Sequence, residues 1–519
     1  MGLPGRPDGR RQHLPTRLPI VSIALDKTRM ADQKQWGRPT SERTVMELLR
    51  NYISGTWIEP LGTDSVQRAD PFTGKNHLEV PVSSAADIDL AVKSAGAAQL
   101  SWAAMGLHAR LEALNQFADA LEVSAVHLAG TESREMGKPV DVGTQFVQSG
   151  IDAFRDSLRE ALTYPFDEQC GGNSDIRTIT RHAPVGVVAL IVPWNFTVAA
   201  ILLSLGPILA AGNTVVVKPS EKATPSAVEM LKCCPLPSGV MNLVVGDGRT
   251  GAALTENPEV ALVNFTGSVA AGRRVAQATA SRFARATLEL GGKDAAVVDD
   301  GVDVAAVATQ LAYAAFVNSG QICTSIERVY VVADVADALI AALVTEAQRY
   351  VPGERCSAGQ ISLGPMVDAD QRNIVRYHVE DARAKGAKIL VGGEVPDVPG
   401  YYYPATVISD VTSDMLVMRD ETFGPVLPIQ VVVSFEEALA KAAESEFGLA
   451  ATIFTENPNH VEAASRLPVG MVWVNQWQGS GLVRMFEPAG ASGSGLTGGR
   501  AAFDAATRGV SISIPDRLT

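Results

Sequence analysis

The sequence contains few of the residue types that several classes of protein require. Its 519 residues include five cysteines and seven histidines. The cysteines are odd in number and unevenly spaced, which argues against a disulfide framework and favours a reducing, cytoplasmic compartment. Neither residue type falls at metal-ligand spacings, so no metal site is predicted. The net charge of −13 argues against nucleic acid and anionic membranes as partners.

Charged residues are absent from positions 183 to 217, a run of 35 residues that is long enough to suggest a membrane span. Turn signals interrupt this run at PWN (193–195), GP (206–207) and GN (212–213). The run is therefore predicted to form a buried strand, a helix and a second buried strand.

The N-terminal segment lacks the pattern of an amphipathic helix. Five of its first nine residues are proline or glycine, although residues 1–29 are rich in arginine as a transit peptide would be. Met30 offers an alternative start. Residues 1–45 are predicted to be a disordered leader, and whether 1–29 are translated or act as a targeting segment stays open.

Short apolar strands alternate with helical segments in the middle of the chain. The predicted strands are 185–193, 214–220, 239–246, 260–268 and 286–292. Strand and helix in repeated alternation predict an α/β fold with a parallel sheet covered on both faces. Ligands bind such sheets where strands end and helices begin. A length of 519 residues predicts two to four domains.

Two motifs at predicted strand ends could hold a dinucleotide. In FTGSVAAG (265–272), Gly267 allows a close backbone approach and Ser268 begins a helix whose free N–H groups favour an anion. The alternative is an ordinary glycine turn. In KPSE (218–221), the carboxylate of Glu221 could accept hydrogen bonds from a ribose, and Lys218 lies on the same strand end. The alternative there is a solvated loop.

Two further strand ends could supply catalytic groups. Asn195 in PWNF (193–196) could donate to a developing oxyanion, or its amide could be tied to the backbone. Glu289 in ELGGK (289–293) follows an apolar strand, so burial should raise its pKa and fit it to activate water. Its alternative is a paired structural carboxylate.

Cys323 lies in GQICTSIERVYV (320–331), between a Gly-Gln turn and a β-branched run. A buried cysteine is most often inert packing. The residues around Cys323 form no apolar wall, so partial access to a pocket is expected. A nucleophilic cysteine needs a thiolate or a nearby base, and no histidine is close in sequence.

Residues 51–514 resemble the NAD(P)-dependent aldehyde dehydrogenase superfamily. The motifs occur in the order of that family: PWNF, KPSE, FTGS, ELGGK, GQICTSIERVYV, ETFGP (421–425) and GMVWVN (470–475). Each motif is weak alone, but seven in this order are specific.

The resemblance implies a Rossmann-like cofactor domain formed by residues 46–165 and 185–293 and an α/β catalytic domain at 294–486. It also implies a small β arm for oligomerisation at 166–184 and 487–519. Residues 506–516 alternate like an exposed edge strand, which needs a partner such as another subunit. A homodimer or homotetramer is expected.

The resemblance also implies an activity, the NAD-dependent oxidation of a small aldehyde to a carboxylic acid. Cys323 would attack the aldehyde, and Asn195 with the Cys323 backbone N–H would hold the thiohemiacetal oxygen. Glu289 would activate the water that hydrolyses the thioester. The implied cofactor residues are Trp194, Lys218, Glu221, Gly267, Ser268, Glu421 and Phe423. NADP is the less favoured cofactor, because Glu221 would repel a 2′-phosphate.

The chain departs from the family pattern at two places. Thr197 stands where proline commonly follows PWNF, and PAGASGSGLTGGR (488–500) lacks the lysine and the acidic residue of the family's late motif. A proton-relay role for that segment is therefore in doubt. Two alternatives stay open, a CoA-acylating dehydrogenase and a catalytically silent protein on this fold. CoA-acylating relatives usually lack the glutamate found here as Glu289.

Small side chains after PWNF predict a roomy apolar substrate tunnel. Ala200 and Leu203 stand where relatives often carry bulkier residues, and Phe196 and Trp477 would complete the lining. Such a tunnel favours aromatic or medium-chain aldehydes. Arg484 could instead bind the carboxylate of a semialdehyde.

Overall fold

The computed structural model of the chain describes residues 49–173, 175–353, 360–479 and 486–518. The predicted leader at 1–45 and Arg484 lie outside these ranges. The α/β class and the parallel sheet predicted from the strand pattern are confirmed.

The strands are short and are spread along the whole described chain. In chain order they are β1 Asn51–Ile53, β2 Thr56–Ile58, β3 Ser65–Ala69, β4 Asn76–Pro81, β5 Asp167–Asn173, β6 Ile176–Pro184, β7 Val187–Val192, β8 Thr214–Pro219, β9 Met241–Leu243, β10 Val260–Thr266, β11 Arg285–Glu289, β12 Ala295–Val298, β13 Arg328–Val332, β14 Tyr350–Pro352, β15 Ile361–Leu363, β16 Lys388–Val391, β17 Thr406–Ser409, β18 Val426–Val432, β19 Phe447–Gly448, β20 Ala450–Phe454, β21 Met471–Val474, β22 Ala489–Gly490, β23 Gly493–Ser494 and β24 Thr507–Pro515.

The helices connect these strands. In chain order they are α1 Ala85–Ala104, α2 Leu107–Met136, α3 Val140–Ala161, α4 Thr197–Ala210, α5 Thr224–Lys232, α6 Gly248–Glu256, α7 Val269–Ala280, α8 Val304–Phe316, α9 Ala333–Ala347, α10 Ala369–Ala384, α11 Leu416–Arg419, α12 Phe435–Ala443, α13 Pro458–Ala464 and α14 Gly499–Ala506. Side-chain caps begin several of them: Ser84 with Asp87 forms a capping box on α1, and Ser268 caps α7.

The first sheet has eight strands in the order β2-β1-β9-β8-β7-β10-β11-β23. Its five central strands, from β9 to β11, run parallel. Strands β7 and β8 are buried at every residue, and α4 joins them through a largely buried helix. The uncharged run at 183–217 is therefore a strand, a helix and a strand, as predicted. Among the described helices, none is both long and apolar enough to cross a bilayer.

The second large sheet has seven strands in the order β16-β17-β18-β13-β12-β20-β21. All neighbours from β17 to β21 are parallel. This sheet uses residues 388–474 together with β12 and β13. Apart from β23, the first sheet uses strands before residue 290. The predicted domain boundaries stay a prediction.

A third sheet has the order β24-β6-β5. Strands β5 and β6 form an antiparallel hairpin, and β24 pairs with β6 over its full length. The other edge of β24 is unpaired by any described strand.

Candidate active site

The predicted motifs meet at one edge of the first sheet. Strands β8, β7, β10 and β11 are parallel neighbours in that order, so their carboxyl ends lie side by side. These ends carry KPSE, PWNF, FTGS and ELGGK. A backbone hydrogen bond from Gly267 N to Glu289 O, 3.0 Å long, joins the third motif to the fourth.

Cys323 follows a turn with an unusual backbone. Asn318 and Ser319 have φ of 52° and 56°, and Gly320 has φ of 70°. Left-handed conformations cost a non-glycine residue about 1 kcal/mol or more, and such costs often occur at functional sites. A Cβ at Gly320 would lie 2.2 Å from the carbonyl oxygen of Gly424, so only glycine fits there. The turn brings the cysteine against the neighbouring loops.

Gln321 ties the cysteine turn to both sides of the site. Its Nε2 donates to Asn318 O at 3.0 Å, and its Oε1 accepts from Val367 N at 2.9 Å. Its carbonyl accepts from Asn195 Nδ2 at 3.0 Å. The backbone tie considered for Asn195 is therefore present. An amide nitrogen carries two hydrogens, and Asn195 uses one of them to bind Gln321, two residues before the cysteine. The second N–H of Asn195 has no partner in this contact.

The surroundings of the Cys323 thiol disfavour its thiolate form. Burial raises its pKa to about 12, and the negative charges of Asp294, Glu421 and Glu289 act in the same direction. The cysteine residue is half-buried. It therefore needs a base before it can act as a thiolate nucleophile.

Glu289 is a carboxyl group whose pKa lies near neutrality. Burial raises its pKa to about 7, and a hydrogen bond from the Thr497 hydroxyl to Oε1 opposes the shift. A carboxyl with a pKa near neutrality can both accept and return a proton. Its charge also acts on the pKa of the Cys323 thiol, so the two groups lie in one electrostatic environment.

The two glycines after Glu289 make room for Glu421. Gly292 N donates to Glu421 Oε1 at 3.0 Å. A Cβ at Gly291 would lie 2.2 Å from Glu421 Oε2, and one at Gly292 would lie 2.6 Å from Cys323 O. Burial raises the pKa of Glu421 to about 8. The ELGGK and ETFGP motifs are thus in direct contact beside the cysteine.

Glu327 fixes the backbone of the ETFGP loop. Its carboxylate accepts from Thr422 N and Phe423 N, each at 2.7 Å, and from Lys293 Nζ at 2.6 Å. Phe423 has φ of 49°, which a phenylalanine rarely adopts without such support. Because Glu327 and Lys293 are both buried, each satisfies the charge of the other.

Aromatic residues surround the predicted substrate side. Phe196 stacks on Phe146 with ring centroids 4.1 Å apart. Trp477 Nε1 donates to Thr324 O at 2.8 Å, and its ring lies 5.8 Å from that of Tyr313.

Two further predicted lining residues extend this side along α4. Ala200 lies one turn beyond Phe196, and its N–H donates to Phe196 O at 2.8 Å. Leu203 is 56% exposed three residues later. The spacing of four and then three residues puts Phe196, Ala200 and Leu203 on one helix face.

The predicted cofactor residues occupy the strand-end edge. Lys218 is buried at the end of β8 with its Nζ 3.9 Å from Glu221 Oε2, and burial lowers its pKa to about 8. Ser268 accepts from Ala271 N at 3.4 Å as the cap of α7. The Trp194 and Phe423 rings meet edge to face at 5.5 Å. The Glu221 carboxylate, the Lys218 ammonium and the N-terminus of α7 thus lie at the ends of nearby strands of one sheet. This combination of groups fits a dinucleotide.

Comparison with known proteins identifies the family. The model of the aldehyde dehydrogenase family matches residues 57–512. The chain belongs to the aldehyde dehydrogenase family. The predicted resemblance is therefore confirmed.

Individual relatives agree with this assignment. An aldehyde dehydrogenase-like protein of Schizosaccharomyces pombe is 33% identical over 461 residues, which is 86% of this chain and 90% of that protein. The NAD⁺ complex of an aldehyde dehydrogenase from Bacillus cereus is 30% identical with a TM-score of 0.87, covering 91% of this chain and 97% of that one. A 3,6-anhydro-L-galactose dehydrogenase in complex with NAP is 29% identical with a TM-score of 0.85, covering 90% and 99%.

Several residues that support the site were not predicted from the sequence. Glu327 accepts from Phe423 N, 96 positions away, and Thr497 donates to Glu289, 208 positions away. Lys293 pairs with Glu327. Lys293 in ELGGK and Glu327 in SIERVYV are opposite charges next to apolar residues. Because buried charges are usually paired, this pattern could have predicted their ion pair. Thr497 had no such signal. The roles predicted for Cys323 and the other site residues stay predictions.

Proposed function

We propose that the protein oxidises an aldehyde to a carboxylic acid with NAD, through covalent intermediates on Cys323. The observation that carries this proposal is that three motifs approach one another around Cys323. Asn195 Nδ2 donates to the carbonyl of Gln321, two residues before the cysteine, and the charge of Glu289 acts on the pKa of the Cys323 thiol. A nucleophile, an oxyanion donor and a base are what acyl chemistry on a thiol requires.

Cys323 begins the proposed reaction. Because its pKa is about 12, the thiol transfers its proton as the sulfur attacks the aldehyde carbon, and Glu289 with a pKa near 7 is suited to receive it. The free N–H of Asn195 and the Cys323 backbone N–H hold the oxygen of the thiohemiacetal. A bound nicotinamide supplies the hydride acceptor. Loss of hydride from the thiohemiacetal carbon would leave a thioester on Cys323. Once Glu289 has released the first proton to solvent, it can deprotonate the water that attacks this thioester.

The strand-end residues favour NAD as the cofactor. Glu221 at the end of β8 has a carboxylate that is 25% exposed and can accept hydrogen bonds from a ribose diol. The same carboxylate would repel a 2′-phosphate. Gly267 and Ser268 precede the first turn of α7, whose free N–H groups would bind the pyrophosphate. Glu421 and Phe423, in the loop whose backbone binds Glu327, would contact the nicotinamide end of the cofactor.

Glu289 also favours hydrolysis of the thioester over transfer to CoA. A base beside the thiol serves a water nucleophile, whereas CoA brings its own thiol. The catalytically silent alternative is disfavoured because Glu289 is partly buried without an ion-pair partner among the described residues, whereas the buried structural carboxylate of Glu132 is paired with Lys138.

The aromatic lining favours an aromatic or medium-chain aldehyde. Phe146, Phe196, Tyr313 and Trp477 offer ring faces, and Leu203 extends the apolar side. A carboxylate-bearing semialdehyde is the second candidate, since Arg484 could bind it.

We also propose that the protein forms a homodimer or homotetramer in the cytoplasm through the three-stranded sheet. Val510, Ile512 and Ile514 alternate with exposed serines along β24, and Ile512 faces Ile179 across the pair. This row is only half-buried, and the outer edge of β24 carries no strand among the described residues. Both features suit a second copy of the sheet.

A panel of aldehydes tests the proposed activity. Purified protein is mixed with NAD and aromatic, aliphatic or carboxylate-bearing aldehydes, with and without CoA, and NADH absorbance is followed. Turnover without CoA on aromatic or medium-chain substrates is expected. Strict dependence on CoA would favour the acylating alternative, and absence of turnover on every class would favour the silent one.

A further inference from the structure

The segment that departs most from the family pattern contacts the proposed base. PAGASGSGLTGGR (488–500) brings the hydroxyl of Thr497 to the carboxylate of Glu289. The two residues are 208 positions apart, so this contact is a product of the fold.

Strand pairing delivers Thr497 to that point. Strand β23 pairs antiparallel with β11, and Gly493 lies opposite Glu289. Leu290 N donates to Ser492 O at 2.9 Å, which continues the pairing past the end of the strand. A Cβ at Gly493 would lie 1.9 Å from Leu288 O, so glycine is required for this close approach. The unusual segment is thus the eighth strand of the sheet that carries the base.

A second pairing fixes the threonine itself. Thr497 and Phe486 form an isolated antiparallel bridge in which each N–H donates to the other carbonyl, both at 3.0 Å. With its backbone held on both sides, Thr497 has a defined direction for its hydroxyl. Its target, Glu289, is partly buried and has no ion-pair partner among the described residues.

We propose that Thr497 is a positioning residue for the general base, whose hydroxyl holds Glu289 Oε1 so that Oε2 faces the thioester water. This inference rests on the proposed function of Glu289. In the step concerned, the water oxygen bonds to the acyl carbon while Oε2 takes one water proton. The carbon–sulfur bond then breaks, the carboxylic acid leaves, and Cys323 departs as thiolate and regains a proton.

The hydroxyl also affects the protonation of the base. A donor stabilises the charged carboxylate, in opposition to burial. Glu289, Glu421 and Asp294 all act on the pKa of the Cys323 thiol, whereas burial and the Thr497 hydroxyl are what act on the pKa of Glu289. Loss of the Thr497 hydroxyl should therefore raise the pKa of Glu289, so that more of it is protonated at a given pH. It should also leave the Glu289 carboxylate free to rotate.

Thr497→Val tests this inference with little change in volume. Wild type and variant are mixed with NAD and an aldehyde, and the NADH burst and the following steady rate are measured across pH. In the variant we expect a burst of unchanged amplitude, a steady rate about tenfold lower, and an acid limb about one pH unit higher. Thr497→Ser should restore the wild-type profile. Ser494→Ala, which removes an exposed hydroxyl of the same strand, should match wild type.

Two results would overturn the inference. A Thr497→Val rate and pH profile like those of wild type would mean that the hydroxyl does not position the base. A faster steady rate would mean that it restrains Glu289 in an unproductive orientation. Glu289→Gln, measured in parallel, separates this from failure of the proposed function: full turnover in that variant means that Glu289 is not the base at all.

Discussion

At the scale of single residues, the chemistry depends on how the pKa values of two side chains differ. Burial and three carboxyl groups keep the Cys323 thiol protonated, while burial alone raises the pKa of Glu289 to about 7. An acid and a base with these values can exchange a proton only while a new bond to sulfur forms. Proton transfer and nucleophilic attack should therefore occur together.

This assignment predicts the pH dependence of turnover. Glu289 acts as a base when it is ionised, so with deacylation limiting, kcat should fall as pH drops through about 7 and level off above it. The measurement is kcat against pH with a fast-acylating aldehyde. A midpoint near the ordinary glutamate value of about 4.3 would contradict it.

Cofactor preference is a second property of one side chain. Glu221→Gln removes the negative charge that would face a 2′-phosphate, so kcat/KM with NADP should rise about tenfold or more relative to NAD. Glu221→Asp keeps the charge and serves as the control. Equal efficiencies with both cofactors in the wild type would show that Glu221 does not contact the ribose.

At the scale of secondary-structure elements, carboxylates at the end of α2 bind the helices that follow the PWNF and KPSE motifs. Glu132 Oε1 accepts from Val198 N at 2.9 Å, and Glu135 Oε2 accepts from Ser226 N at 3.0 Å. These carboxylates satisfy free N–H groups in the first turns of α4 and α5, which follow PWNF and KPSE. Lys138 Nζ pairs with Glu132 at 2.6 Å, and all of these charged side chains are buried.

The buried pair gives a prediction about stability and activity together. Lys138→Met leaves Glu132 without its cation, which should lower the free energy of unfolding by about 3–5 kcal/mol. It also removes the ammonium that lies 4.1 Å from the Phe196 ring centroid, so kcat should fall as well. Chemical denaturation and steady-state kinetics measure both effects.

The double variant Glu132→Gln/Lys138→Met is the matched control. It removes both charges and keeps an acceptor for Val198 N, so most of the lost stability should return. Stability as low as in the single variant would mean that the lysine acts through packing.

Some of these elements could be predicted from the sequence and others could not. The strands of the first sheet could be predicted because each is a short apolar run between turn signals, as in β7 and β8. The motif residues followed from their places at strand ends. The contacts of Glu132 with Val198, Glu327 with Phe423 and Thr497 with Glu289 could not be predicted, because they join distant segments and depend on how helices and sheets pack.

At the scale of the whole molecule, the site is built from both large sheets. Asn195 and Glu289 follow strands of the first sheet, whereas Cys323 precedes β13 of the second. An ion pair between Lys293 and Glu327 joins the two segments. Lys293 lies between Glu289 and β12, and Glu327 lies between Cys323 and β13. Catalysis should therefore be sensitive to any change in how the sheets meet.

Assembly gives the prediction at this scale. Ile512→Glu puts a charge into the half-buried apolar row of β24 and should convert the oligomer to smaller species. Ser513→Glu changes the neighbouring residue on the opposite face and should leave assembly intact. Analytical ultracentrifugation measures both. A wild type that sediments as a monomer, or two variants with equal effects, would contradict the proposed interface.

The central claim is that Cys323 carries the acyl group and that Glu289 releases it. The most direct measurement is the mass of the Glu289→Gln protein after mixing with NAD and an aldehyde, followed by peptide mapping. We predict one NADH per active site, formed more slowly than in the wild type because the thiol has lost its proton acceptor, then a stall, with the acyl mass on the peptide containing Cys323. The Cys323→Ala/Glu289→Gln protein should show neither. An acyl group on another residue, or steady turnover without an adduct, would contradict the claim.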